Sequence, residues 1–213
     1  MPPTNAMISG IVLAAGASRR LGRPKQLLSL DGVPLLRIVL DAALNSSLYE
    51  VIVVLGYHAK EIRETLGLST LATENAVTKK KLKIAVCDEW GDGMSASLAT
   101  GLEATRPEAI AAAILVGDQP HVKAELIDRV TEAFVAGDKP IARPVYYDKE
   151  IRIPGHPVLI SRTMWPEVEK LRGDQGLRSM IDRHPEQLLE VSVEGEAPGD
   201  IDTLDDYRQL TEP

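Results

Sequence analysis

Apolar and polar residues along this chain fall into blocks of two kinds. Short, nearly continuous apolar runs occur at Ile8–Ala14, Val51–Leu55, Leu82–Val86, Ala111–Val116, Ile141–Val145 and Leu188–Val193. Their length and lack of polar alternation predict strands covered on both faces. Between them lie segments with apolar residues three and four apart: Pro34–Leu44, His58–Leu66, Met94–Glu103, Lys123–Phe134, Gly176–Arg183 and Thr203–Leu210. That spacing predicts amphipathic helices, the first with Pro34 at a first-turn position, where a missing N–H is tolerated. Strands alternating with helices predict an α/β fold with a mostly parallel sheet and right-handed crossovers. Two segments interrupt the pattern. Thr70–Lys81 is polar, ends in Lys79-Lys80-Lys81 and reads as a solvated surface excursion. Tyr146–Pro157 reads as a hairpin or lid beside the sheet. Neither an internal repeat nor a linker is evident, so residues 1–213 are read as one domain, with Met1–Ala6 a loose tail.

Composition narrows this picture. Aromatics are only 4% of the 213 residues against 44% hydrophobic, so the core must be built from Ala, Val, Ile and Leu. A net charge of −7 disfavours binding to DNA or RNA over a broad face. Cys87 is the only cysteine, which excludes an internal disulfide and a cysteine-rich metal site; it is expected to be a small buried residue near a strand end. No apolar run reaches the roughly 18 residues of a membrane span, and the N-terminus lacks a basic leader region. A cytoplasmic enzyme acting on small molecules, with no membrane or nucleic-acid partner, is expected.

In open α/β sheets ligands sit at the carboxyl ends of the strands. The chemically distinctive residues of this chain fall there: Ala15 to Lys25 after the first strand, Tyr57 and His58 after the second, Asp88 and Trp90 after the third, and Asp118 after the fourth. The first of these segments is the most informative. Ala15, Gly16 and Ala17 let backbone N–H groups approach an anion closely, and Arg19, Arg20, Arg23 and Lys25 lie where a polyphosphate would rest. It reads as a triphosphate cradle. It is not a P-loop, because five residues separate Gly16 from Gly22 and Arg23 follows. It is not a dinucleotide fingerprint either, because Ser18 stands at the second glycine position.

Gly117-Asp118-Gln119-Pro120 ends a strand, where Gly117 gives clearance and Pro120 stops the strand. The Asp118 carboxylate suits Mg²⁺, which takes one or two carboxylates plus phosphate oxygens and water; capping the following helix is the other role open to it. In extended backbone Asp200 and Asp202 point to one side, and Thr203 with Asp206 resembles a helix start. Gly91-Asp92-Gly93-Met94-Ser95-Ala96-Ser97 opens a helix, so Ser95 and Ser97 are candidates for nucleotide contact, with capping open for Ser95. Four histidines without a close pair leave no zinc site.

Leu13, Ala14, Gly16, Ser18, Arg20, Gly22 and Lys25 match the pattern L-A-x-G-x-S-x-R-x-G-x-x-K. On this motif the chain resembles the nucleotidyltransferases of the MobA and MocA type, closest to the molybdenum cofactor cytidylyltransferases. Gly117–Pro120, Gly155–Val158, Gly173–Arg178 and Asp200–Thr203 follow in the family's order and extend the resemblance over nearly the whole chain. The resemblance implies a three-layer Rossmann-like fold of the nucleotide-diphospho-sugar transferase type, with helices on both faces of the sheet. It implies nucleotide contacts from Leu13, Ala14, Ala15, Gly16, Ser18, Arg19 and Gly22. Lys25, Arg20 and Asp118 would be catalytic. Mg²⁺ would lie on Asp118 and Asp202, with Asp200 in support. Gly155, His156, Asp174 and Arg178 would bind the acceptor.

The expected reaction moves a nucleoside monophosphate from an NTP onto the phosphate of a small-molecule acceptor and releases pyrophosphate. Ala15 before Gly16 points to CTP, where the guanylyl branch tends to carry a second glycine. Molybdopterin is the acceptor the resemblance implies, together with a cofactor-delivery protein as partner. An NAD(P)H-dependent oxidoreductase and a guanylyl or other-acceptor transferase are the alternatives on the same fold.

Overall fold

The computed structural model describes residues 6–74, 81–148, 151–195, 197, 199, 201 and 203–211. The expected loose tail, apart from Ala6, lies outside the described residues. Eight strands form one sheet: β1 (Ile8–Ala14), β2 (Glu50–Leu55), β3 (Lys81–Val86), β4 (Ala111–Val116), β5 (Ile141–Asp148), β6 (Ile151–Pro154), β7 (Val158–Ser161) and β8 (Leu188–Val193). Their order is β8-β5-β7-β4-β1-β2-β3, with β6 pairing β5 outside this path. The pairs β1–β2, β1–β4, β2–β3 and β5–β8 are parallel. β7 runs antiparallel between β4 and β5.

All six expected strands form, three of them with the bounds read from sequence. β5 continues to Asp148 and turns back as β6, which is the hairpin expected over Tyr146–Pro157. β7 was not foreseen, because four residues are too short to show a period. A second unforeseen hairpin joins Ser29–Leu30 to Val33–Pro34. Its turn, Asp31-Gly32, has positive φ at both residues (51° and 82°), the geometry that Asp-Gly supplies between two strands.

Helices α1 (Leu35–Asn45), α2 (Ala59–Thr65), α3 (Leu68–Glu74), α4 (Met94–Glu103), α5 (Ala124–Ala136), α6 (Trp165–Val168), α7 (Leu177–Ile181) and α8 (Leu204–Thr211) fill the intervals. Pro34 caps α1 from outside rather than sitting in its first turn. α3 corrects the expectation of a polar excursion from Thr70. Leu68 and Leu71 are buried and hold this segment on the core, while residues 75–80 lie outside the described residues.

Strand periodicity sorts the core into two layers. Val51, Val53 and Leu55, with Ala111, Ala113 and Leu115, pack against α1, α2, α3 and α5. Ile52, Val54, Ala112 and Ile114 face the other way, onto α4, α6 and α7. The fold is therefore the three-layer α/β arrangement expected. On the second face, Gly101 lets α4 lie close to β1: a Cβ there would fall 2.5 Å from Ile11 Cγ2. That contact brings the start of α4 beside the loop leaving β1.

The amino ends of the strands carry a buried charge network. Glu50 is 1% exposed. Its Oε1 accepts from Ser9 Oγ at 2.8 Å and from the Arg106 backbone N–H at 2.8 Å, and Lys83 Nζ lies 2.7 Å from its Oε2. Burial pushes this carboxyl up, but Lys83, the Arg106 N–H and Ser9 outweigh it and hold Glu50 below the ordinary carboxylate range.

Candidate active site

The loop leaving β1 is held by side chains as well as by two backbone bonds, from the Tyr57 N–H to Ala15 O at 3.2 Å and from the Leu21 N–H to Ser18 O at 2.9 Å. Gln26, 2% exposed, donates its Nε2 to the carbonyls of Ala14 at 2.9 Å and Gly16 at 3.3 Å. Ser18 is left-handed, with φ 51°, and Gly22 likewise, with φ 66°. The Ser18 hydroxyl accepts from the Lys25 backbone N–H at 3.0 Å and donates to Gln26 Oε1 at 3.5 Å. Two polar side chains thus fasten the loop to the short helical turn Lys25–Leu27 and aim Lys25 back across the end of β1. Among the described residues no backbone carbonyl accepts from the amides of Gly16, Ala17, Ser18 or Arg19, so these donors are not committed to the backbone, as an anion cradle requires.

β4 delivers the opposing group. The Gly117 N–H donates to Leu13 O at 2.9 Å, which draws the β4 end against β1. Asp118 follows, 9% exposed, and its Oδ2 pairs with Lys25 Nζ. Its Oδ1 makes no hydrogen bond among the described residues. Helix α5 begins at Ala124 behind Lys123, so Asp118 caps nothing.

The Lys25–Asp118 pair stands between two cavities. The first, about 520 Å³, is walled by Leu13 through Arg20, by Trp90, Met94 and Ser97, and by Asp174. The second, about 640 Å³, is walled by Gly155, His156, Asp174 and Arg178 together with Arg143 and Arg152. Lys25, Asp118 and Asp174 belong to both.

The candidate nucleotide residues Leu13, Ala14, Ala15, Gly16, Ser18, Arg19, Arg20 and Ser97 thus share one wall. Gly22 and Ser95 are not part of it. Gly22 serves the turn, and the Ser95 N–H is taken up by Gly173 O at 3.0 Å. No side chain caps α4; Gly93 stands at that position. The Gly93 φ of 97° presses the helix start onto Gly173 and Asp174. The candidate acceptor residues Gly155, His156, Asp174 and Arg178 are brought together around the second cavity, although Arg178 points mostly to solvent, with its side chain 91% exposed. Asp200 and Asp202 lie outside the described residues. Thr203 and Asp206 form a reciprocal cap at 2.7 and 3.1 Å, which starts α8.

Several participants escaped the sequence reading. Gln26 gave no signal, since a buried polar residue cannot be told from an exposed one in isolation. Trp90 followed a strand as expected, but its role as a cavity wall, buttressed edge-on by Tyr57 at 4.7 Å between ring centroids, is tertiary. Arg143 interrupts the apolar run of β5 and could have been noticed for that. It is 9% exposed and bonded to Glu190. Burial pushes its guanidinium pKa down; nearby Asp182 opposes this and Arg178 adds to it. Tyr146 packs beneath Gly155, and burial pushes its hydroxyl pKa up.

A buried carboxylate, Asp118, on the same cavity as uncommitted backbone amides suits a hard cation shared with phosphate oxygens. Among the described residues no group of three or more His, Cys, Asp or Glu could enclose an ion without a ligand's help. No helix among them is long and apolar enough to cross a membrane.

A cationic loop and a lysine–carboxylate pair at the carboxyl ends of a mostly parallel sheet define a nucleotidyltransferase. The chain belongs to the MobA-like NTP transferase domain family, whose model matches residues 10–188. It is 28% identical over 207 residues to nicotine blue oxidoreductase of Paenarthrobacter nicotinovorans, covering 95% of this chain and 96% of that protein. It is 29% identical over 210 residues to the purine catabolism protein PucB of Bacillus subtilis, covering 93% of each. Among solved structures, Rv0371c from Mycobacterium tuberculosis H37Rv superposes with a TM-score of 0.81 at 32% identity, over 97% of this chain and 99% of that one. The same protein in complex with manganese gives 0.78 at 30%, over 99% and 100%.

Proposed function

We propose that this nucleotidyltransferase moves CMP from CTP onto the phosphate of a small-molecule acceptor, molybdopterin or its metal-loaded form, and releases pyrophosphate. The observation that carries this reading is the Lys25–Asp118 pair at the junction of two cavities. One cavity has the donors and cations for a triphosphate, and the other is open to a second molecule. Ala15 on the wall of the first favours the smaller pyrimidine over a purine.

An oxygen of the acceptor phosphate attacks the α-phosphorus of CTP; the new P–O bond forms as the bond to the β-phosphate breaks, and pyrophosphate carries away the electron pair. A phosphomonoester is largely ionised at neutral pH, its second pKa being about 6, so the chain need not supply a base. Its work is alignment and charge stabilisation. The amides of Gly16 to Arg19 hold the triphosphate, and Gln26 keeps that loop in shape. Lys25 and Arg20 stabilise charge developing toward the leaving pyrophosphate. Asp118 would hold Mg²⁺, with Asp202 proposed as the second carboxylate; when bound, the ion neutralises charge on the α-phosphate. His156 and Asp174 orient the acceptor from the second cavity. The manganese complex of Rv0371c supports a divalent ion in this fold.

The test is pyrophosphate release from CTP with molybdopterin present. Release that requires Mg²⁺ and disappears in Asp118→Asn supports the assignment, whereas preference for GTP overturns the choice of nucleotide. The oxidoreductase named among the relatives motivates a second reading, reduction by NAD(P)H. Against it stands the absence of a glycine-rich dinucleotide fingerprint. NADPH binding that ignores both Mg²⁺ and the Asp118 substitution would favour it.

A further inference from the structure

We propose that main-chain atoms read the acceptor: a notch in the sheet, between the end of β4 and the bare edge of β6, receives the hydrogen-bonding edge of a planar lactam-type heterocycle, the class to which a pterin belongs. The assignment to the acceptor rests on the transfer reading; the notch rests on strand pairing.

β6 and β7 follow one another beside β5, both antiparallel to it. The Gly155 N–H donates to Pro144 O at 2.9 Å, and the Ser161 N–H donates to Pro140 O at 2.8 Å. Alternation along a strand then turns the backbone groups of Ile151, Ile153, Leu159 and Ser161 toward β5. Those of Arg152, Pro154, Val158 and Ile160 turn the other way, toward β4. Val158 and Ile160 meet β4 there, opposite Ile114 and Ala112. The Arg162 N–H continues that ladder to Ile110 O at 2.8 Å. Toward the carboxyl end, pairing stops where Ile114 meets Val158. β4 runs on to Val116, whose own N–H and C=O face the same side, because the next residue, Gly117, turns its N–H to Leu13 on β1. The Arg152 N–H and C=O and the Pro154 C=O face this gap from β6. Val116, Arg152 and Pro154 make no backbone bond outside the strand ladders among the described residues. All three line the second cavity.

The notch shares its cavity with Lys25 and Asp118, so a ring held there keeps its phosphate within the reacting centre. A bare strand edge pairs with whatever is laid along it, but this one is too short for another strand: β6 turns two residues outward, and Pro154 has no N–H to give. A small rigid molecule fits instead. An N–H followed by carbonyls asks for an acceptor beside a donor, which a lactam supplies as a C=O next to a ring N–H. Leu98, Ile114, Val158, Leu177 and Ile181 wall the rest and suit the faces of an uncharged ring. From behind the wall Glu190 accepts from Arg143 and Arg152 alike. With it, the charged residues around this cavity balance, which favours a neutral ring over a further anionic group.

The probe is 6-hydroxymethylpterin, a fluorescent ring without a phosphate, titrated into the full chain; its N3-methyl derivative lacks the lactam N–H. Arg152→Gln removes the guanidinium and keeps the backbone N–H, whereas Arg152→Pro removes both. Proline is tolerated at an outward position of an edge strand because no ladder bond is lost, and thermal unfolding checks that both variants fold. The pterin is expected to bind Arg152→Pro about fivefold more weakly than Arg152→Gln, the size of one hydrogen bond. N3 methylation should weaken binding to the parent by a similar factor. Equal affinity for the two folded variants, indifference to N3 methylation, or no pterin binding to the parent overturns the proposal. Should Arg152→Pro unfold, the methylated ring decides alone. Pterin binding that follows both changes in a chain that never releases pyrophosphate supports the notch and sinks the transfer reading. Mg²⁺-dependent pyrophosphate release with a molybdopterin KM identical in the two variants keeps the transfer reading and overturns the notch.

Discussion

Replacing Lys25 with methionine keeps most of the side chain's volume and removes its charge, which separates two consequences of the ion pair with Asp118. The first is stability. The two side chains are 20% and 12% exposed, so the pair lies between a surface bridge and a buried one. Breaking a buried pair costs about 3–5 kcal/mol and an exposed one about 0–1, which puts this site near 1–2 kcal/mol. For a chain of this size each kcal/mol lowers Tm by about 2–4 °C, so a fall of roughly 2–8 °C is expected. The second is catalysis. Lys25 would contribute one preorganised donor to charge developing on the triphosphate, and removing such a donor costs about 10²–10³ in kcat. That corresponds to about 3–4 kcal/mol of transition-state stabilisation. Thermal unfolding measures the first quantity, and pyrophosphate release at saturating CTP and Mg²⁺ measures the second. A variant with lowered Tm but kcat within about threefold of the parent's would refute the catalytic role and leave Lys25 a structural partner of Asp118.

Gln26→Leu removes three hydrogen bonds and leaves the Ala14 and Gly16 carbonyls and the Ser18 hydroxyl without their Gln26 partner; a loss of about 2–4 kcal/mol in chemical denaturation is expected. Its kcat/KM for CTP should drop at least about tenfold, because the cradle loses its anchor. Gly93→Ala puts a Cβ 2.3 Å from the Gly173 carbonyl carbon at φ 97°, so Tm should fall and both substrates' KM values rise, since the clamp joins the two cavities; the cost is about 1–3 kcal/mol. Glu50, whose folded-state pKa is depressed, takes up its proton at higher pH in the unfolded chain than in the folded one. Its contribution is therefore present above the unfolded value and lost as pH falls through the folded one. A Tm series should show an acid-side decline below the ordinary carboxylate range, and Glu50→Gln should flatten it while lowering neutral-pH stability by about 2–3 kcal/mol.

What could be read before folding follows from the range of the interactions involved. Buried strands announce themselves by local composition, and α4 and β4 fall at their expected bounds because each carries its own period and its own terminators. β7 stayed hidden because its four residues acquire strand character only when β4 and β5 pair with them on either side. α3 was misread for a related reason: Leu68 and Leu71 are too few to outweigh a polar neighbourhood until the sheet offers them a surface.

The candidate site divides along the same line. The amino-acid sequence by itself determined the alternating α/β plan, the small-residue cationic loop after β1 and the carboxylate after β4, since each is written in consecutive residues. Only the tertiary structure decided that Lys25 meets Asp118, 93 positions away, and that Gln26 holds the cradle's carbonyls. It likewise decided that Glu190 gathers Arg143 and Arg152 behind a shared wall. The physical reason is that a side chain's partner depends on strand order and register, which long-range packing sets and no local period encodes.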